Sequence, residues 1–204
     1  MSNRMVSREV IKAIREAAQT RDWNQCHPPL ERALAELEPA TLIALAEAVL
    51  REGLPTFERN HPGEMWPRRA LDGLETGLSP DVSGPGGGSF CSAVDDLVEA
   101  RARADDSSAC HKLIAKALSR SIMAEMSAIW GAEHREAWDA WYGRPAESEP
   151  LGCADPMWGW SDDPKVLRAE IAGWNNLADR LEALERPGDD TEDASTESDR
   201  EARS

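Results

Sequence analysis

No apolar run in this 204-residue chain approaches the roughly 18 residues that a membrane-spanning helix needs. The first 20 residues, MSNRMVSREVIKAIREAAQT, hold no uninterrupted apolar segment, so no secretory signal is expected. Basic runs are missing as well. Four Lys and 19 Arg stand against 38 Asp and Glu, for a formal net charge of -15. Such a chain offers no footprint for nucleic-acid phosphates or anionic membranes, and it attracts basic partners instead. The excess of Arg over Lys reads as GC-rich bacterial coding and not as mechanism. No G-x-S-x-G elbow, P-loop, dinucleotide fingerprint, C-x2-C or H-x3-H pair occurs. The commonest local signatures of hydrolases, nucleotide binders and zinc sites are thereby removed. Phe occurs twice and Tyr once, so eight Trp must supply the aromatic bulk.

What is present is helical periodicity. No segment alternates as a strand would, and the expected class is all-α: a multi-helix bundle of short, Pro-separated helices. Val6, Val10, Ile11 and Ile14 open the first stripe, with Ser7 as its cap. Thr20 to Asn24 interrupts it. Pro28 or Pro29 then suits the first turn of a second helix carrying Leu30, Ala33, Leu34 and Leu37. Pro39 opens a third, with Leu42, Leu45, Ala46, Val49 and Leu50; Gly53 reads as its C-cap and Pro55 as its stop. Asn60 to Glu64 reads as a loop and Pro67 as the start of a helix through Leu71 and Leu74. Residues 79–89, SPDVSGPGGGS, read as a linker between an N-terminal segment, 1–78, and a C-terminal one, 90–186, with packing of the two as one domain left open. The latter begins with a helix carrying Ala93, Val94, Leu97, Val98 and Ala102. After a turn and cap at Asp105 to Ser108, a long helix is expected from Ala109 to Tyr142, with Ile114, Leu118, Ile122, Met126, Trp130, His134, Trp138 and Trp141 on one stripe. Residues 143–163 read as a loop. A last helix is capped by Asp163-Pro164 and carries Leu167, Ile171, Trp174, Leu177, Ala178, Leu181 and Leu184. The tail, 187–204, has seven acidic and two basic residues, and its composition predicts disorder.

One stretch carries a resemblance. Leu54-Pro55-x-Phe57-Glu58, then Pro62, then Pro67-Arg68-x-Ala70-Leu71 resembles the motif of a family of helical immunity proteins from bacterial polymorphic toxin systems. The likeness covers residues 45–72. Trp66 stands where that family usually has Arg, and residues 109–142 lack its Ala- and His-rich continuation. The resemblance implies an inhibitory binding protein rather than an enzyme, and it transfers no functional residues. Read on its own, the kernel is a helical corner: Pro62 and Pro67 fix the loop, Phe57 packs toward Leu71, and Glu58 pairs with Arg68 or Arg69.

The chemistry-bearing residues are few. Cys26, Cys91, Cys110 and Cys153 are even in number, but without a signal they are expected as reduced thiols in a cytoplasm. The neighbours Cys26-His27 and Cys110-His111 point about 100° apart on a helix, so a zinc site would have to assemble across the fold. Glu133 and Glu136 flank His134 at helical spacing, the alternative being a hydrolytic or metal-dependent centre there; a third alternative is a structural adaptor. No cofactor or metal is assigned. Residues 121–163 hold nine acidic and two basic residues and five of the eight Trp. Trp158 and Trp160, with Asp155, Asp162 and Asp163 beside them and Trp138 and Trp141 upstream, form the candidate partner surface. Trp is the residue most enriched at binding hot spots, and surrounding carboxylates steer a basic partner. The expected function is a non-catalytic acidic binding protein whose partner is basic, in the manner of a cognate toxin.

Overall fold

The computed structural model of the chain describes residues 6–20, 23–76, 88–133 and 163–184. Among them the chain forms seven α-helices and no strand. They are α1 (Arg8–Thr20), α2 (Trp23–Leu34), α3 (Pro39–Asn60), α4 (Trp66–Thr76), α5 (Ser89–Ala102), α6 (Ser107–Glu133) and α7 (Pro164–Ala183). Their starts have local causes. The Asp163 carboxylate accepts the Lys165 amide at 2.7 Å, and Pro164 presets the first turn of α7. Asp106 does the same for α6, accepting the Ala109 amide at 3.1 Å. Pro39 opens α3 at a position where the amide would lack a partner in any case. Gly63 and Gly88 hold φ of +107° and +125°, which a side chain would resist, before α4 and α5 respectively.

The i, i+4 row of α6 (Ile114, Leu118, Ile122 and Met126) is buried, and α6 packs against α2, α3, α5 and α7. α5 and α6 form an antiparallel hairpin around the turn at 103–106. α1 lies on α2 and α7, and α4 on α3 and α5. Each helix contributes to one continuous core: Ile14, Leu30, Leu50, Leu71, Leu97, Leu118 and Trp174 are all in it. Burying each such side chain contributes about 1.5–3 kcal/mol before entropy is counted. The helical segments on the two sides of residues 79–89 thus share a core. α6 and α7 approach closely because Gly173 has no side chain; a Cβ there would stand 2.9 Å from Ile122 Cγ2. Ion pairs stitch the periphery: Arg15 to Asp179 at 2.5 Å and Glu182 at 2.7 Å joins α1 to α7, Arg180 to Glu52 joins α7 to α3, and Arg120 to Asp96 joins α6 to α5.

Several sequence expectations are corrected. α2 starts at Trp23, so Pro28 and Pro29 lie inside it and not in its first turn. The backbone bonds lost to Pro are offset by burying Cys26, Pro29, Leu30, Ala33 and Leu34. α3 passes through Gly53 and Pro55 and ends at Asn60. Gly53 is a packing residue rather than a cap, since a Cβ there would come within 3.1 Å of Phe90 Cε2. Leu54 and Phe57 stay on the buried face and hold the helix past Pro55. The linker boundary moves by one residue, because Ser89 already belongs to α5. On α5, Ala102 is exposed, and Phe90, Cys91 and Ala100 belong to the core instead. On α7, Val166 is buried in the first turn, and Leu184, which follows the helix as its C-cap, is exposed. The expected long helix is described as far as Glu133. Its continuation to Tyr142, the loop at 143–162, the linker at 79–87 and the tail at 187–204 lie outside the described residues.

Candidate functional site

The family-like corner is built from the last turns of α3, residues 61–65 and the first turns of α4. Leu54, Phe57, Pro67, Ala70 and Leu71 point into the core, while Pro55, Pro62 and Arg68 are exposed. Phe57 stacks on Phe90 of α5, with ring centroids 4.8 Å apart, and on His61 at 4.7 Å. Its ring partners are Phe90 and His61, and it shares the core with Leu71. Arg68 donates two parallel hydrogen bonds to Glu58, at 2.6 and 2.7 Å. The pairing raises the Arg68 guanidinium and holds the Glu58 carboxyl below its ordinary range. An exposed pair of this kind adds geometry more than stability. Most of the kernel is thus core, and the motif encodes a bend.

Behind the corner, the Cys91 thiol donates to Glu64 at 3.8 Å. Burial pushes that thiol up to about 12; the Glu64 charge adds to the effect and the Trp66 indole opposes it. A thiol so placed is a poor nucleophile and a poor metal ligand at neutral pH. Cys26 and Cys110 are buried too, and burial also raises Cys110. His111 lies 3.1 Å from the Leu37 carbonyl, a geometry in which Nε2–H donates and fastens the 35–38 turn to α6. Among the described residues, no group of three or more His, Cys, Asp or Glu is arranged to hold a metal ion.

A concave feature lies elsewhere. An open groove of about 790 Å³ runs between the first turns of α3 and the α5–α6 turn. Ala40, Ile43 and Ala44 line it together with Glu38, Arg101 and Asp105. Glu38 precedes α3 but makes no capping bond, and at α6 the cap is Asp106 and not Asp105. Sequence reasoning missed this groove. Its residues come from three helices, and the only local hint is a pair of exposed alanines one turn apart.

Of the expected partner surface, Asp163 is described, and it serves as the α7 cap. Trp138, Trp141, Asp155, Trp158, Trp160 and Asp162 lie outside the described residues, as do His134, Glu136 and Cys153. Glu133 is the last residue of α6. No helix among the described residues is long and apolar enough to cross a membrane. No protein-family model, curated protein or solved structure matches this chain.

Proposed function

We propose that this chain is a non-catalytic binding protein, an immunity-type inhibitor that neutralises a basic cognate toxin in the bacterial cytoplasm. The observation that carries the reading is where the acid surplus sits. The described residues hold 22 acidic and 16 basic residues, and the other residues hold 16 and 7. Among the described residues, Lys12, Arg15, Arg51, Arg68, Arg103, Arg120 and Arg180 are engaged by carboxylates of the same chain. These pairs take up seven cations and nine carboxylates and so leave most of the acid surplus in place; the net charge of -15 makes the field reaching a partner negative. Such a field concentrates a basic protein at the surface and speeds its association.

The contact residues in this reading are Trp158 and Trp160, with Asp155 and Asp162, and Trp138 and Trp141 upstream in sequence. A Trp at the centre of an interface contributes about 2 kcal/mol or more to binding, so Trp158→Ala with Trp160→Ala should weaken a complex at least roughly tenfold. Co-expression with the product of a toxin gene adjacent to this one tests the reading. Growth should be restored by the natural chain and not by the double variant. Growth arrest with the natural chain present, at equal expression, contradicts it.

A further inference from the structure

We draw no further inference here: the strongest candidate, the side-chain cluster of Cys91, Glu64 and Trp66 behind the α3–α4 corner, centres on a single buried thiol already donating to Glu64, and nothing among the described residues shows a ligand that would occupy it.

Discussion

Single residues set the helix starts and much of the pH response. Asp163 was grouped by sequence with the acidic partner surface, yet its carboxylate is committed to the Lys165 amide. Asp163→Ala should lower stability by about 1 kcal/mol, the usual worth of an N-cap. In a chain of this size that is a fall of roughly 2–4 °C in thermal midpoint, read by circular dichroism. Partner binding should be unaltered by it. His27, half-buried on α2, behaves differently. Burial holds its imidazole below the ordinary 6.5, with Glu31 opposing. On acidification the unfolded chain therefore takes up the proton first. The stability contributed by neutral His27 is complete above the ordinary value and is lost as pH falls from about 6.5 through the depressed folded value. Urea midpoints measured across that range should drop in the natural chain, and His27→Gln should flatten this part of the profile. A natural chain equally stable throughout the range would show that the imidazole is not desolvated.

At the scale of elements, the helices were largely legible and their limits were not. Periodicity marks α3 through Leu50, and Gly53 and Pro55 then look like an end because the local rules for Gly and Pro say so. What keeps α3 going is long-range: Phe90, from another helix, fits against Gly53 and stacks on Phe57. The same override places Pro28 and Pro29 inside α2. Sequence reasoning found the Asp163-Pro164 start and the buried row of α6 because those depend on neighbours within a turn. It could not find the groove, whose walls meet only after α3 and α5 pack, nor that Ala102 would face outward. The α6–α7 contact gives a sharp test. Gly to Ala inside a helix ordinarily gains about 1 kcal/mol. At Gly173 the new methyl would meet Ile122, and overpacking of this kind costs about 1–3 kcal/mol. Gly173→Ala should therefore destabilise in denaturant unfolding. In the Ile122→Ala background the loss should shrink or reverse, since the clash is gone. A stabilised single variant would mean that α6 and α7 lie further apart.

At the scale of the whole molecule, the seven helices of the described residues share a core, and the acid surplus is spread over the described residues (22 acidic, 16 basic) and the rest of the sequence (16 and 7). Seven of the 16 cations among the described residues are held by carboxylates of the same chain, and in sequence the acidic stretch 121–163 holds five of the eight Trp. Under the proposed reading, such a chain would bind through field and anchor: carboxylates bring a basic partner in, and aromatic side chains hold it. The two contributions separate in kinetics, because exposed charges act mainly on the association rate while buried anchors act on dissociation. The most direct test follows the association of the full chain with the purified toxin domain by stopped-flow, using tryptophan fluorescence, at about 0.05 M and about 0.5 M salt, between which the Debye length falls roughly threefold. The account predicts an association rate at least roughly tenfold lower at the higher salt, with a dissociation rate that changes little. An association rate indifferent to salt, or the absence of any complex at the lower salt, would contradict it.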